Sequence, residues 1–135
     1  MAATGGDVIV GIDAGTSVIK AVAFDLAGRQ LALAALPNRY DERPDGAVEP
    51  GRARAWGDAA AVLRLLADEL PGLAGRTAAL AVTGQGDGTW LIDAAGAPVA
   101  PGWLWLDSRA AGIVDELAAS GARGRIFPFT GCGLN

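Results

Sequence analysis

Residues 8–20 read VIVGIDAGTSVIK, and this segment constrains the fold more than any other part of the chain. Residues 8–12 are apolar or glycine and rich in β-branched side chains, which is typical of a strand buried on both faces. The strand runs into a turn of small and hydroxyl-bearing residues at 14–17, and a second strand is predicted at 18–24. The segment therefore predicts a tight hairpin at the start of a sheet.

The rest of the chain adds strands and helices in an order that defines the fold class. A turn at 25–28 and a third strand at 30–36 extend the hairpin into an antiparallel meander. Apolar residues at helical spacing then predict a helix over 52–70. The remaining predictions are a buried strand at 78–83, a Gly-rich turn at 84–88, strands at 89–93 and 99–106, a helix that begins after 107 or 108 and ends at about 120, and no regular pattern at 127–131. This order is not an alternating βαβ pattern, so it predicts a mixed sheet with helices on its faces.

Composition narrows the class of protein and its setting. The 135 residues suffice for one folded domain, with 51% hydrophobic and 19% charged residues. The formal net charge of −4 and the dispersed arginines leave no basic face for nucleic acid. No apolar run is long enough for a bilayer and no signal-peptide pattern is present, so we expect a cytoplasmic protein without membrane partners. A single cysteine, Cys132, excludes an internal disulfide, and the absence of histidine excludes a histidine base.

The turn after the first strand combines groups that suit a terminal phosphate with one that does not. Gly15 permits a tight turn, and Thr16 and Ser17 bring hydroxyl donors. Lys20 can add a positive charge. Asp13 would repel a phosphate unless a cation such as Mg²⁺ lies between them. The alternative is an ordinary hairpin turn in which Asp13 caps backbone amides, and the spacing alone leaves both interpretations open.

An ordered set of motifs resembles a known family. VGIDAGTSVIKAVAFD at 10–25 resembles the first phosphate motif of the sugar-kinase/Hsp70/actin superfamily. TGQGDG at 83–88, WLID at 90–93 and WLDSR at 105–109 are similar to the carbohydrate kinases of the FGGY family. Pro44, Gly46, the VEP at 48–50 and Trp56 also match its N-terminal domain. The resemblance covers nearly the whole chain.

The resemblance implies a fold, a reaction and cofactors. The implied fold is an α/β, ribonuclease-H-like mixed sheet of the actin-like ATPase superfamily, with an antiparallel three-strand meander and flanking helices, incomplete in this chain. Residues 1–135 would form the first part of the N-terminal substrate- and phosphate-binding domain of a sugar kinase, with the C-terminal domain absent. The implied reaction is phosphorylation of a polyol or sugar hydroxyl by ATP with Mg²⁺. The catalytic base is expected beyond Asn135, so this chain alone would be inactive.

The resemblance also implies roles for residues at the two Gly-rich turns. Asp13 would face the metal, while the phosphate would be bound by Gly15, Thr16, Ser17 and Lys20. In the TGQGDG loop, Gln85, Gly86 and Asp87 would bind substrate, since a carboxylate can accept two hydroxyl hydrogen bonds. Glycerol kinases carry an Arg-Glu pair at positions 86 and 87, and xylulokinases usually carry a histidine at 87. This loop matches neither, and its GQGDG form resembles the members that act on erythritol.

The segment WLWLD at 103–107 alternates in a way that bears on the sugar pocket. As a strand it would place Trp103, Trp105 and Asp107 on one face. The resemblance implies that Trp105 is a wall of the sugar pocket, whereas we expect Trp103 to be a core residue. Arg109 is expected to pair with Asp107, and Glu49 is expected to be structural.

Three functional hypotheses remain at this point. The favoured one is a kinase for erythritol or a similar small polyol, with xylulose, ribulose and glycerol kinases as alternatives within the family. The second is a non-catalytic module that binds a polyol or associates with another subunit, including a homodimer. The third, an Hsp70- or actin-like ATPase, shares the opening motif but does not account for TGQGDG together with WLWLD.

Overall fold

The computed structural model describes residues 6–49, 54–86 and 88–133. The strands Asp41–Glu42 and Val48–Glu49 form a short two-stranded ribbon of their own. Within the described ranges the elements are, in chain order, β1 (Val8–Ala14), β2 (Val18–Asp25), β3 (Gln30–Pro37), β4 (Asp41–Glu42), β5 (Val48–Glu49), α1 (Arg54–Glu69), α2 (Leu73–Arg76), β6 (Thr77–Gly84), α3 (Ala111–Ala119) and α4 (Ala122–Thr130).

The main sheet is mixed and has the strand order β3-β2-β1-β6. β1 pairs antiparallel with β2 and β2 pairs antiparallel with β3, whereas β6 runs parallel to β1. The parallel pair is joined through α1, because parallel strands need a crossover connection. The predicted antiparallel meander within a mixed sheet is therefore confirmed.

One face of this sheet carries the hydrophobic core. Alternate residues of a strand point to opposite faces, so Val8, Val10 and Ile12 share one face and are 0–5% exposed. Helix α1 packs on that face through Val62 and Leu66, both fully buried. The buried cluster consists of Val8, Val10, Ile12, Ile19, Ala21, Ala23, Ala34, Val62, Leu66 and Leu73.

Two strands are less buried than their sequences predict. On β1, Ile9 is 40% exposed and Asp13 is exposed, so this strand is buried on one face only. β6 lies at the edge of the sheet, where Leu80 is 50% and Val82 66% exposed. The prediction of a buried strand at 78–83 is wrong because α1 covers the β2–β3 side of the sheet and leaves β6 bare. Trp56, in the first turns of α1, is likewise 83% exposed.

The turn between β2 and β3 forms as its sequence indicates. Asp25 Oδ1 accepts hydrogen bonds from the backbone N–H groups of Ala27 and Arg29, each at 2.9 Å. Gly28 adopts a positive φ of 81°, which an L side chain rarely tolerates. The aspartate and the glycine thus reverse the chain and set the register of the meander.

The C-terminal part departs from its predictions. Two strands were predicted at 89–93 and 99–106. Between residues 89 and 103 the structure instead has isolated bridges that pair Thr89 with Trp103 and Ile92 with Pro98. The helix predicted from 107 or 108 is α3, which begins at Ala111 after a turn. Residues 127–130, predicted to lack a regular pattern, belong to α4, which includes Pro128. Within the described residues, none of the helices has the length and apolar character that crossing a membrane requires.

Candidate functional site

The hairpin between β1 and β2 presents a carboxylate beside a tight glycine turn. Asp13 is exposed near the end of β1, and Gly15 begins the turn. A Cβ at Gly15 would lie 3.0 Å from the Val18 carbonyl oxygen and 3.5 Å from Asp13 Oδ1. The Asp13 carboxylate therefore lies close to the backbone of the turn, and a larger residue at position 15 would crowd it.

Asp13 is the middle member of a polar row that crosses three strands. Its partner on antiparallel β2 is Lys20, and its partner on parallel β6 is Thr83. Paired residues of a sheet lie on the same face, so these three side chains are neighbours on the open face. They line a depression of about 310 Å³ whose floor includes Gly11 and Val22. The structure thus brings Lys20 to Asp13 and adds Thr83, which the sequence had marked only as part of a motif.

The segment after β3 holds the turn in place. The Asn38 backbone N–H donates to the Ser17 carbonyl at 2.9 Å, and Asn38 Nδ2 donates to the Gly15 carbonyl at 2.8 Å. The Tyr40 hydroxyl donates to the Thr16 carbonyl. Three successive carbonyl groups of the turn are therefore bound by one segment.

Sequence reasoning assigned no role to Asn38 or Tyr40. Both contact the turn across more than twenty residues of chain. A local pattern carries no signal for such contacts, although an amide and a phenol close behind a strand of the meander were available as candidates. Burial raises the pKa of the Tyr40 hydroxyl, which keeps the group protonated and able to donate.

The second Gly-rich loop begins directly after β6. Gln85 Nε2 donates to the Tyr40 hydroxyl oxygen at 2.9 Å, while Gln85 Oε1 is buried and has no hydrogen-bond partner among the described residues. Gly86 is exposed, and a Cβ there would meet no atom within 4 Å. Asp87, a predicted substrate residue, lies outside the described residues. Gln85 lines a cavity of about 280 Å³ together with Ala14, Ile19, Asn38, Tyr40, Thr83 and Trp90.

A charged cluster joins the segment 103–109 to β5. Arg109 Nη2 lies 2.6 Å from Asp107 Oδ2 and 2.9 Å from Glu49 Oε1, and the Val48 N–H donates to Asp107 Oδ2 at 3.1 Å. Hydrogen bonds from Arg109 hold the pKa of the Asp107 carboxyl well below its usual range, and the same contact raises the pKa of Arg109. The predicted pairing of Arg109 with Asp107 is confirmed, and Glu49 joins it.

The two tryptophans of this segment are both exposed. Trp103 is 48% and Trp105 56% exposed, while Leu104 between them is 3% exposed. The expectation that Trp103 is a core residue is therefore wrong. Its ring instead lies under the Arg109 guanidinium, whose central carbon is 4.5 Å from the ring centroid.

Trp105 does not line either cavity described above. The next residue, Leu106, lines a shallow depression of about 480 Å³ together with Thr16, Ser17 and Tyr40. The segment that carries Trp105 therefore approaches the turn at 15–17.

The donor set at the turn was tested against a bound magnesium ion. In the described part of the chain, no group of three or more Asp, Glu, His or Cys side chains could hold a metal. A single exposed carboxylate such as Asp13 fits the way Mg²⁺ is commonly bound, through one or two carboxylates together with substrate phosphates and waters. Asp13 and the glycine turn beside it thus fit a phosphate-bound Mg²⁺.

Comparison with known proteins gives the chain its relatives. A family profile described as the N-terminal domain of the FGGY family of carbohydrate kinases matches residues 8–135. The chain is 56% identical over 130 residues to an erythritol kinase from Brucella abortus (strain 2308), covering 96% of the chain and 25% of that protein. It is 34% identical over 127 residues to a xylulose kinase from Streptomyces coelicolor, covering 90% of the chain and 25% of that protein. The chain thus spans about a quarter of the length of these relatives.

The solved structures agree with the sequence relatives. A crystal structure of xylulose kinase from Rhodospirillum rubrum matches with a TM-score of 0.83 and 28% identity, covering 95% of the chain and 26% of that protein. The predicted fold, a ribonuclease-H-like mixed sheet of the actin-like ATPase superfamily, is confirmed. The chain belongs to the FGGY family of carbohydrate kinases.

Proposed function

We propose that the full-length protein is an ATP- and Mg²⁺-dependent kinase that phosphorylates a hydroxyl of a small polyol, with erythritol favoured. The observation that carries this proposal is the link between the two Gly-rich turns, in which Tyr40 bonds both Thr16 and Gln85. A phosphate-type turn is thereby held beside a loop whose buried acceptor, Gln85 Oε1, has no partner in the part of the chain that the structure describes. The 56% identity to a protein named erythritol kinase supports the substrate class.

The phosphate side of the proposed site needs positioning and charge neutralisation more than covalent chemistry. Gly15 lets the turn backbone approach the terminal phosphate of ATP, and the hydroxyls of Thr16 and Ser17 donate to its oxygens. Lys20, on the same face as Asp13, adds positive charge. Asp13 would hold Mg²⁺, which would supply positive charge against the charge that develops on the phosphate oxygens.

The substrate side uses the loop after β6. Gln85 Oε1, which is buried and has no hydrogen-bond partner among the described residues, accepts a hydrogen bond from a polyol hydroxyl. Gly86 leaves open space where a side chain would stand, which favours a substrate longer than glycerol. Asp87 accepts further hydroxyl hydrogen bonds. Trp105 does not line the cavity that Gln85 borders, so its role as a wall of the sugar pocket rests on the family resemblance alone. In this proposal the base that takes the hydroxyl proton lies outside residues 1–135, which form the first part of the N-terminal domain.

The names of other relatives point to substrates other than erythritol. Proteins named xylulose kinase and glycerol kinase are 34% and 32% identical to the chain, well below the 56% for the erythritol kinase. The test is an ADP-release assay of the full-length protein with ATP, Mg²⁺ and each of erythritol, threitol, glycerol, xylulose and ribulose. We expect the highest kcat/KM with erythritol. Absence of turnover with all five would overturn the proposal. Cytoplasmic location and a homodimer stay predictions.

A further inference from the structure

The Tyr40 hydroxyl lies where three separate segments meet. It donates to the Thr16 carbonyl in the turn at 15–17. It also accepts a hydrogen bond from Asn38 Nδ2 at 3.1 Å and another from Gln85 Nε2 at 2.9 Å. One oxygen atom thus connects the phosphate-type turn, the segment after β3 and the loop after β6.

The capacity of this hydroxyl sets the orientation of both amides. A phenol has one proton to donate and two lone pairs that accept. The Thr16 carbonyl can only accept, so it takes the single proton. Asn38 and Gln85 must then both present their NH₂ groups to Tyr40, because no second proton remains for an amide oxygen.

The orientation of Gln85 has a consequence at its other atom. With Nε2 committed to Tyr40, Oε1 is left without a hydrogen-bond partner among the described residues, although it is buried. An unsatisfied buried acceptor is unfavourable, and a hydroxyl that donated to it would relieve the cost. Gln85 borders the cavity of about 280 Å³, so a small ligand in that cavity is the nearest source of a hydroxyl.

We propose that Tyr40 is a positioning residue that keeps Gln85 Oε1 available as an acceptor for a polyol hydroxyl and couples the substrate loop to the phosphate turn. The ligand class in this inference rests on the proposed function. Tyr40 acts through Gln85 and Thr16. A polyol bound to Gln85 therefore stabilises the position of the Tyr40 hydroxyl, which also binds the Thr16 carbonyl in the phosphate turn. Polyol and nucleotide should for this reason favour each other's binding.

The test measures erythritol binding to the full-length protein by calorimetry, with and without a non-hydrolysable ATP analogue. The variants are Tyr40→Phe, Gln85→Leu and the double variant. Thr77→Val is the matched control, because the Thr77 hydroxyl also donates to a backbone carbonyl, that of Leu73 at 2.7 Å, but at the opposite end of β6. Thermal unfolding of each variant separates a change in binding from a loss of folded protein.

We expect Tyr40→Phe to weaken erythritol binding about tenfold, the size of one lost hydrogen bond with a buried partner left unpaired. Gln85→Leu should weaken it at least as much, and the double variant should bind no more weakly than Gln85→Leu alone, because Tyr40 acts through Gln85. Tyr40→Phe should also reduce the enhancement of erythritol binding by the ATP analogue. Thr77→Val should leave both quantities unchanged.

Several outcomes would overturn the inference. Erythritol affinity unchanged in Tyr40→Phe, or a loss in the double variant equal to the two single losses combined, would exclude action through Gln85 while leaving the proposed function intact. If Tyr40→Phe does not fold, Gln85→Glu tests the same link. The introduced carboxylate cannot donate to the Tyr40 hydroxyl and can only compete with the Thr16 carbonyl for its proton. Unchanged erythritol binding in Gln85→Glu would also overturn the inference. Failure of the unmutated protein to bind or phosphorylate any of the five substrates named under the proposed function would overturn that function, and the inference with it.

Discussion

Ile12 and Asp13 are adjacent in the chain and lie on opposite faces of the main sheet. Ile12 is 5% exposed and belongs to the core under α1, whereas Asp13 is exposed on the open face. The covered face is apolar along all of β1, while the open face carries the row formed by Asp13, Lys20 and Thr83. Alternate residues of β1 therefore have different roles, in the core on the covered face and in the polar row on the open face. Substitutions on the covered face should change stability, and those on the open face should change activity.

The largest expected effect is on the covered face. Leu66→Ala removes a fully buried side chain that packs between α1 and the sheet, and it should lower the free energy of unfolding by about 3 kcal/mol. Leu65→Ala is the matched control, since Leu65 is the neighbouring residue of α1 and is 40% exposed. Denaturant unfolding of the full-length variants gives both values. Equal losses for the two leucines would show that α1 does not distinguish a covered face.

Next in size is the loss of the Asp13 carboxylate on the open face. Asp13→Asn should lower kcat at least ~100-fold, because the amide is a poor ligand for Mg²⁺ at the phosphate, while erythritol affinity and unfolding change little. Steady-state ADP release, calorimetry and denaturant unfolding of the full-length protein measure the three quantities. Asp41→Asn, at an exposed carboxylate on β4, is the control and should leave kcat unchanged. A variant that loses stability but retains kcat would reverse the proposed division between the faces.

The difference between the faces also explains what the sequence could predict. Periodicity and turn residues predicted β1, β2 and β3, because the meander is built from short-range pairs and a turn closed by Asp25 and Gly28. Segments 89–93 and 99–106 were wrongly predicted as strands, because a sequence pattern does not show whether a neighbouring strand pairs with the segment. α4 was missed because Pro128 reads as a helix breaker.

The candidate site could be predicted from the sequence only where it depends on local motifs. Asp13 and its turn follow from one local motif, and family resemblance directed attention to Gln85. The Tyr40 bridge between them depends on contacts 24 and 45 residues apart along the chain, which no local pattern encodes. Burial of β6 was predicted from composition alone, but burial depends on which part of the sheet a helix covers.

A smaller, pH-dependent effect is expected at the charged cluster outside the sheet. The pKa of Asp107 lies below its ordinary value of 3.8 in the folded protein, chiefly through hydrogen bonds from Arg109. Its stabilisation is therefore fully present above about pH 5, declines as the pH falls through the unfolded pKa, and is lost as the pH reaches the lowered folded pKa. Asp107→Asn should be less stable than the unmutated protein at pH 6, and the difference should narrow as the pH falls from about 5 to about 2.

Denaturant unfolding of the full-length protein at several pH values measures this difference, in which titration of the other carboxylates largely cancels. Asp45→Asn is a control, because Asp45 is exposed and its carboxylate accepts a hydrogen bond from the nearby Ala47 N–H, at 3.2 Å. A stability difference for Asp107→Asn that stays constant across this pH range would contradict the lowered pKa of Asp107. The residue would then stabilise the fold through the shape of its side chain and not through its charge.

The smallest expected effect concerns Gly11, in the middle of β1 on the open face. A Cβ at Gly11 would meet no atom within 4 Å, whereas one at Gly102 would lie 2.7 Å from the Trp90 ring. Gly11→Ala should therefore stabilise the full-length protein slightly, by about 0.5 kcal/mol, because alanine restricts the unfolded chain. Gly102→Ala, the contrasting variant, should destabilise it. Unfolding in denaturant measures both. A clear loss for Gly11→Ala would mean that another part of the full-length protein packs on this face, and the polar row would then lie at an interface instead of on an open surface.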